Sequence, residues 1–376
     1  MEMNHPNKPN QTLSEFDSRM APTKGSDAVL LWRTPDQPPF RLAGFAWFEQ
    51  DRIFRRLPLT PTEPLPKSVD WLANHTAGGQ VAFQSDSRHV AVRVKLKGRA
   101  DMVHMPATGQ CGFDLYLGLP SEMRLHGVTK YDHRLTEYEV LLFQNPDAAM
   151  RTFTLNFPLY QGVEALQIGL DPEAHIHPAP PYAIAGRIVF YGTSITQGGC
   201  ATRPGLAYTN ILSRALNAEV VNLGFSGSGR GEPEVCRTFA QIKNPRMFVL
   251  DYEANTDFDG LQKTVPENLR ILREHHSDVP ILVVSGVPNS GDATFPQRQK
   301  AHDQRRDLQK RVVEAGRMNG DPHLYFLDGS TLLGEDSGEG TVDGLHPNDL
   351  GFMRMATGLE PVVRKILGCN AGAEGK

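Results

Sequence analysis

The sequence predicts a protein of two parts, an antiparallel, jelly-roll-like β-sandwich followed by an α/β half with a parallel sheet. Two observations support this fold class. Between residues 29 and 171, short runs of alternating apolar and polar residues recur with no helical stretch between them, which is typical of a sandwich. After residue 184, apolar runs alternate with helical patterns, which indicates a parallel sheet with helices on both faces.

The strands of the predicted sandwich are recognised by their period of two. In residues 89–97, valine and leucine alternate with arginine and lysine, so one face of this strand is expected to lie on a core. Similar runs, each bounded by Gly, Pro, Asp or Asn, occupy residues 113–119, 137–143, 152–157 and 165–170.

The α/β half is predicted from apolar runs that alternate with helical patterns. The expected strands are residues 188–191, 220–223, 247–250, 281–284 and 324–327. The expected helices are residues 207–216, 233–242, 266–275, 299–318 and 352–367. Because short connections join these elements, the strands are expected to be parallel, with their C-terminal loops along one edge of the sheet.

The expected domain boundaries follow from these changes of pattern. A polar segment without periodicity suggests a flexible N-terminal arm, and a proline-rich stretch suggests a stiff, extended linker between the two parts. The predicted units are the arm (1–28), the sandwich (29–176), the linker (177–184), the catalytic α/β domain (185–368) and a flexible C-terminal tail (369–376).

Charge and cysteine content exclude several classes of protein. The 39 basic and 43 acidic residues give a net charge of -4, and no basic stretch suggests a nucleic-acid partner. The four cysteines lack the paired spacing of a zinc site or a disulfide framework, which favours free thiols. There is no apolar run near the roughly 20 residues of a membrane span, and no apolar segment follows the first residues of the sequence. We therefore expect a soluble, cytoplasmic protein without membrane contacts.

Polar residues with catalytic chemistry follow several of the predicted strands. Ser194 comes directly after the first apolar run, and a glycine-rich segment, residues 222–231, follows the second. Asn255 lies after the third strand, and Asp343 and His346 precede the last helix. The carboxyl ends of parallel strands form the crevice in which ligands bind, so we expect these residues to meet there.

These residue types fit nucleophilic catalysis by serine. A serine hydroxyl needs a base to remove its proton, and an imidazole needs a partner that fixes its tautomer. Asp343 and His346 supply both, since their spacing lets the carboxylate reach Nδ1 while Nε2 faces Ser194. The N–H groups of Ser194 and Gly227 and the side-chain amide of Asn255 are candidate donors to the developing oxyanion.

Taken together, the motifs resemble those of the SGNH (GDSL-like) hydrolases. The resemblance covers roughly residues 185–368 and rests on four blocks in the family's order. The blocks are Gly192-Thr193-Ser194, Asn222-x-Gly224-x-x-Gly227, Asn255 and Asp343-x-x-His346. In addition, Gly112-Phe113-Asp114-Leu115-Tyr116 is similar to the Gly-x-Asp-Leu-Tyr signature of the β-domain that precedes some SGNH hydrolases.

The resemblance implies a three-layer fold and a metal-free serine esterase. Ser194 is then the nucleophile, His346 the base and Asp343 its orienting partner, and Ser194, Gly227 and Asn255 form the oxyanion hole. Ester substrates, often O-acyl groups on sugars, are implied, and no cofactor. Two positions depart from the family pattern: Thr193 replaces the usual aspartate, and Glu253 stands where many members have glycine.

Other interpretations of single motifs stay open at this stage. Ser194 alone is compatible with a helix cap, and Asn255 with a turn cap. The glycine run is compatible with a phosphate site in which Asp251 contacts a ribose. His175 and His177 lie two apart but lack partners for a zinc site, and Cys200 lacks a neighbouring base.

Four further residues are candidate substrate contacts. Asp114 and Tyr116 either bond within the sandwich or line the cleft between the two parts, and Arg203 and Tyr208 follow the nucleophile loop. The expected substrate is a small acyl ester, and an acetylated sugar is the favoured one. An acyltransferase that uses an alcohol acceptor and a non-catalytic carbohydrate-binding protein are the alternatives, and the sequence is compatible with a homo-oligomer.

Overall fold

The N-terminal half contains two antiparallel sheets. The computed structural model describes residues 12–23 and 25–369. The strands of this half are β1 (Leu31–Arg33), β2 (Arg41–Ala43), β3 (Gln80–Ser85), β4 (His89–Leu96), β5 (Asp114–Leu117), β6 (Arg124–Val128), β7 (Glu137–Gln144), β8 (Arg151–Asn156), β9 (Val163–Leu170) and β10 (Ile176–Pro178). One sheet has the order β1-β9-β4-β7 and the other β10-β3-β8-β5-β6, with β2 also paired to β3.

The two sheets form a sandwich around one apolar core. Val92 and Ile168 of the first sheet belong to the same buried cluster as Phe83 and Leu155 of the second, and all four are fully buried. Alternation along β4 explains this, because every second side chain points between the sheets and the others face solvent. The predicted antiparallel sandwich is therefore confirmed.

Several elements of this half were not predicted. All residues of β3 except Gln84 are buried, so the strand lacks the alternation by which the others were recognised. Short helices also interrupt the strands, contrary to the expectation of none. The strand β10 occupies the start of the predicted linker, where His177 pairs with Gln84 in an antiparallel ladder.

The predicted N-terminal arm is partly described. Residues 1–11 and 24, and residues 370–376 of the predicted tail, lie outside the described residues. Within the arm, Lys130 of the sandwich donates from Nζ to the carbonyl oxygen of Arg19 (2.8 Å) and accepts from the N–H of Thr23 (2.6 Å). These contacts attach the described part of the arm to the sandwich.

The C-terminal half contains one parallel sheet between helices. Its strands are β11 (Ile184–Gly192), β12 (Ala218–Gly224), β13 (Pro245–Asp251), β14 (Ile281–Val284) and β15 (Leu324–Leu327), in the order β12-β11-β13-β14-β15. The α-helices of the described chain are α1 (Leu13–Phe16), α2 (Phe48–Asp51), α3 (Lys67–Leu72), α4 (Ala107–Gln110), α5 (Ser194–Gln197), α6 (Tyr208–Leu216), α7 (Pro233–Phe239), α8 (Phe258–His275), α9 (Ser290–Thr294), α10 (Pro296–Met318) and α11 (Asp349–Leu367).

Helices cover both faces of this sheet, as predicted. Phe190 of β11 packs in a buried cluster with residues of α6 and α11, whereas its neighbour Tyr191 packs with residues of α7, α8 and α10. Adjacent residues of one strand thus enter different cores, which explains the unbroken apolar run in the sequence. The three-layer α/β fold is confirmed.

One helix begins well before its predicted start. The sequence pattern predicts a helix over residues 266–275, which begins at Pro266. In the structure Pro266 lies inside α8, which begins at Phe258. The side chain of Asp257 caps this start by accepting the N–H of Gly260 (2.8 Å).

Two findings bear on the expected free thiols and on the expected lack of a membrane span. Cys111, Cys200, Cys236 and Cys369 are free thiols, as the sequence predicted. In the part of the chain that the structure describes, every helix is too short or too polar to cross a membrane.

Candidate active site

The strand order brings three of the predicted loops together. Strand β11 lies between β12 and β13, and Gly192 at its end pairs with Gly224 on one side and Asp251 on the other. A Cβ at Gly192 would lie 2.3 Å from the carbonyl oxygen of Asp251, so only glycine permits this approach. The loops that follow the three strands therefore leave the sheet side by side.

Ser194 is the first residue of α5, directly after β11. Thr193 caps this helix, since its hydroxyl accepts the N–H of Ile195 (3.2 Å). Aspartate and threonine both supply a cap acceptor. Thr193 therefore caps the helix as the aspartate of the family pattern would.

The structure brings Ser194, His346 and Asp343 into one hydrogen-bonded relay. Ser194 Oγ lies 3.0 Å from His346 Nε2, and His346 Nδ1 lies 2.7 Å from Asp343 Oδ2. The second carboxylate oxygen of Asp343 accepts the N–H groups of His346 (2.7 Å) and Leu345 (3.0 Å). This arrangement holds the ring with Nε2 toward Ser194, as removal of the serine proton requires.

The carboxylate of Asp343 is ionised at neutral pH. Partial burial acts to raise the pKa of Asp343, but the hydrogen bonds from the His346 ring and from the N–H groups of His346 and Leu345 lower it to about 2. An ionised partner stabilises the imidazolium that forms when His346 takes a proton.

The predicted oxyanion donors lie on the three adjacent loops. The N–H groups of Ser194 and Gly227 lack an acceptor among residues 12–23 and 25–369, and Gly227 has a positive φ of 63°. The side chain of Asn255 donates from Nδ2 to the carbonyl oxygen of Ser228 and, at 3.4 Å, to that of Phe225. In this structure the amide of Asn255 thus holds the glycine-rich loop that carries Gly227.

Glu253 fixes the short turn that carries Asn255. The two residues share one 3-10 helix, and Glu253 is 2% exposed. Its carboxylate accepts the N–H of Gly286 (2.7 Å) and the side chains of Arg305 (3.1 Å) and Gln309 (2.6 Å). Glu253, the second departure from the family pattern, therefore connects this turn to the loop after β14 and to α10.

Three of the four candidate substrate contacts are buried and have protein partners. Asp114, Tyr116 and Tyr208 are 0%, 4% and 0% exposed. Arg203 donates to Asp114 Oδ2 (3.0 Å) and to the hydroxyl of Tyr116 (2.6 Å), while Tyr208 donates to Asp251 (2.7 Å). The polar groups of these residues bond within the protein in this structure, and a role in substrate binding stays a prediction. Asp114, Tyr116 and Arg203 join the two halves of the chain.

We expect Asp114→Asn to destabilise the protein by roughly 2 kcal/mol, because a buried, charge-assisted contact is weakened. Asp114 also accepts the N–H of Gly205 (2.7 Å) and the side chain of Asn156 (2.7 Å). Chemical denaturation measures this change. Asp86→Asn, at a surface pair with His175, is the matched control and should change the free energy of unfolding by less than about 0.5 kcal/mol. Equal effects of the two substitutions would contradict this role of Asp114.

Asp251 gives a second stability prediction, on pH. Burial raises the pKa of Asp251 from 3.8 to about 7, although hydrogen bonds from Tyr208 and Thr196 act to lower it. Between these two values the unfolded chain releases the proton that the folded chain keeps, so stability falls as the pH rises. We expect the wild type to lose about 4 kcal/mol more than Asp251→Asn between roughly pH 4 and pH 8. Denaturation at each pH measures both stabilities. If the wild type and Asp251→Asn lose stability in parallel, Asp251 has the same pKa in the folded and unfolded chain.

Two residues of the site come from the sandwich and were missed in the sequence. The ring of His104, which precedes α4, lies 5.8 Å from that of His346, centroid to centroid. The hydroxyl of Tyr160 donates to the carbonyl oxygen of Ser194 (3.3 Å). No motif marks either residue, because only tertiary packing brings the sandwich to this edge of the parallel sheet.

The alternative sites proposed for single motifs lack support. Asp251 is bonded to Tyr208, so its carboxylate is not free for a ribose. His175 is paired with Asp86 (2.8 Å), and neither it nor His177 joins a group with the geometry of a metal site in the described chain. Burial raises the pKa of the Cys200 thiol to about 12, which makes it a poor nucleophile.

Comparison with family models and curated sequences gives a consistent result. Residues 185–364 match the model of the GDSL-like lipase/acylhydrolase family, and residues 30–176 match that of the N-terminus of SGNH-hydrolase-type esterases. A search of curated proteins found no match to the chain.

Solved structures with similar folds include both esterases and an acyltransferase. A GDSL-like lipase from Bacteroides ovatus is 29% identical, with a TM-score of 0.84 over 92% of this chain and 100% of that one. The salicylyl-acyltransferase SsfX3 from a tetracycline biosynthetic pathway is 19% identical, with a TM-score of 0.70 over 91% and 99%. An acetyl xylan esterase from Butyrivibrio proteoclasticus is 14% identical, with a TM-score of 0.57 over 91% and 99%. The last two likenesses concern the fold alone.

Proposed function

The chain belongs to the GDSL-like lipase/acylhydrolase family, and we propose that it hydrolyses small O-acyl esters through Ser194. The observation that carries this proposal is the relay from Ser194 through His346 to Asp343, with contacts of 3.0 and 2.7 Å. Such distances are those of a nucleophile and its base in hydrogen-bond reach.

In the proposed mechanism, Ser194 Oγ attacks the ester carbonyl while His346 Nε2 accepts its proton. The N–H groups of Ser194 and Gly227 and the amide of Asn255 stabilise the negative charge on the carbonyl oxygen. His346 then returns the proton to the leaving alcohol, which departs and leaves Ser194 acylated. Water, deprotonated by His346, attacks the acyl-enzyme and releases the acid.

The exposure of the relay favours water over an alcohol as the final acceptor. The side chains of His346 and Asp343 are 22% and 36% exposed, so solvent reaches the base. Transfer to an alcohol needs a cleft that excludes water. The similarity to SsfX3 keeps the acyltransferase as the second candidate, with the same acyl-enzyme.

The proposed substrate is an acetyl ester on a carbohydrate. Support comes from solved carbohydrate esterases with a similar fold, among them one from Clostridium thermocellum determined with cellohexaose. Under this proposal the sandwich contributes a wall of the site, since His104 and Tyr160 lie beside the catalytic residues. A carbohydrate-binding protein without catalysis is the remaining alternative.

The release of acid from a panel of acetylated sugars and p-nitrophenyl esters tests this function. We expect hydrolysis of short acyl esters by the wild type. Product analysis with added alcohols separates the candidates, because transfer that outcompetes hydrolysis would favour an acyltransferase. Inactivity on every ester class, together with tight glycan binding, would support the non-catalytic alternative.

A further inference from the structure

His104 lies next to the proposed catalytic pair, although it belongs to the other half of the chain. Its Nε2 atom is 3.9 Å from Asp343 Oδ2. One ligand atom each from His104, Asp343 and His346 fall within 4.8 Å of one another. Two imidazoles and a carboxylate thus converge on one small volume at the mouth of the site.

We propose that these three side chains bind Zn²⁺ and that the ion inhibits the esterase. Nitrogen from histidine and oxygen from aspartate are among the common ligands of zinc, at about 2.0–2.2 Å from the ion. Two such ligands of a tetrahedral ion are roughly 3.4 Å apart. The 3.9 Å between His104 Nε2 and Asp343 Oδ2 is longer than this value and the 2.7 Å between His346 Nδ1 and the same oxygen is shorter, so zinc binding requires side-chain rotations that replace that hydrogen bond.

The choice of metal follows from the donors. Magnesium and calcium prefer sites built from oxygen ligands, whereas imidazole suits zinc. The side chains of His104 and Asp343 are each 36% exposed and that of His346 is 22% exposed, so an ion from solvent reaches all three. A water molecule from solvent supplies the fourth ligand of the zinc ion.

Inhibition follows from the atoms that the ion engages. Asp343 Oδ2, which faces His104, is the same oxygen that holds Nδ1 of His346. Zinc bound to this oxygen competes with the hydrogen bond that orients His346. Zinc bound to the His346 ring also occupies the lone pair that would otherwise accept the proton of Ser194. The inhibitory effect rests on the proposed function, whereas zinc binding itself does not.

Calorimetric titration with ZnCl₂ measures binding, and ester hydrolysis at the same zinc concentrations measures inhibition. We expect one zinc ion per chain and a parallel loss of activity in the wild type, reversed by EDTA. His104→Ala should raise both the dissociation constant and the half-inhibitory concentration at least about tenfold, with each rate compared with that variant's own zinc-free rate. MgCl₂ and CaCl₂ should leave the rate unchanged.

His175→Ala is the matched control, because His175 also pairs with a carboxylate, that of Asp86, away from this site. It should bind zinc and lose activity as the wild type does. The proposal is overturned if zinc binds to His104→Ala and inhibits it at the same zinc concentrations as the wild type. If the protein lacks esterase activity but binds zinc through His104, the zinc site stands and the proposed function fails.

Discussion

Ser194→Ala is expected to lower kcat for an acetyl ester by about 10³-fold or more, because no other group takes the place of the nucleophile. His346→Ala should have a similar effect, since Ser194 loses the base that lies 3.0 Å from its hydroxyl. For Asp343→Ala we expect a smaller loss, because the base remains although its orientation is no longer fixed. Steady-state kinetics on one p-nitrophenyl ester compare the three variants directly.

Ser228→Ala is the matched control for the nucleophile. Ser228 lies on the glycine-rich loop, and its hydroxyl donates to that of Ser68 in α3 (2.8 Å). This variant should therefore turn over substrate at close to the wild-type rate. A Ser194→Ala variant that keeps wild-type turnover would show that the nucleophile is assigned to the wrong residue.

Asn255→Ala is expected to lower kcat by about 10²–10³-fold with a small change in KM, because the amide donates to charge that develops only in the transition state. The amide also contacts the carbonyl oxygens of Ser228 and Phe225, so the substitution loosens the loop that carries Gly227. Both effects reduce the stabilisation of the oxyanion. Measuring kcat and KM separately distinguishes this role from ground-state binding.

A structural role alone predicts a different result for Asn255→Ala. The thermal midpoint of unfolding, measured beside the kinetics, separates a folded variant with a slow chemical step from a misfolded one. Asn145→Ala in the sandwich, where the side chain accepts the N–H of Asp147 (2.9 Å), controls for the loss of a half-buried amide. A well-folded Asn255→Ala variant with unchanged kcat would remove Asn255 from the oxyanion hole.

The parallel sheet and the meeting of Ser194, His346 and Asp343 were predictable because each depends on local order along the chain. Ser194 and Asn255 follow the ends of adjacent strands, and Asp343 and His346 share one loop. Strand ends of a parallel sheet meet at one edge, so their position in the sequence gives their place in the fold. The relay then needs only the spacing of Asp343 and His346.

The contributions of the sandwich were not predictable in the same way. Arg56 is fully buried and donates from the N-terminal half to the carbonyl oxygen of Asn222 (3.2 Å). His104 and Tyr160 reach the site by the same packing of one half on the other. The sequence contains no local pattern for such contacts, because they depend on how two separate cores meet.

Glu253 shows a different limit of the sequence. In the sequence it is recognised only as a departure from the family pattern, where many members have glycine. Its partners Gly286 and Arg305 come from the exit of β14 and from α10, which are distant in sequence. Only the folded arrangement shows that the carboxylate is buried and paired, and so holds the turn in place.

Covalent labelling of the nucleophile is the most direct test of the proposed mechanism. A phosphonate ester that reacts with activated serines should add once per chain, and peptide mapping should place the adduct on Ser194. Ser194→Ala should stay unlabelled, and His346→Ala should label slowly because its serine is no longer activated. An adduct on another residue, or equal labelling of Ser194→Ala, would contradict the assignment of Ser194 as the nucleophile.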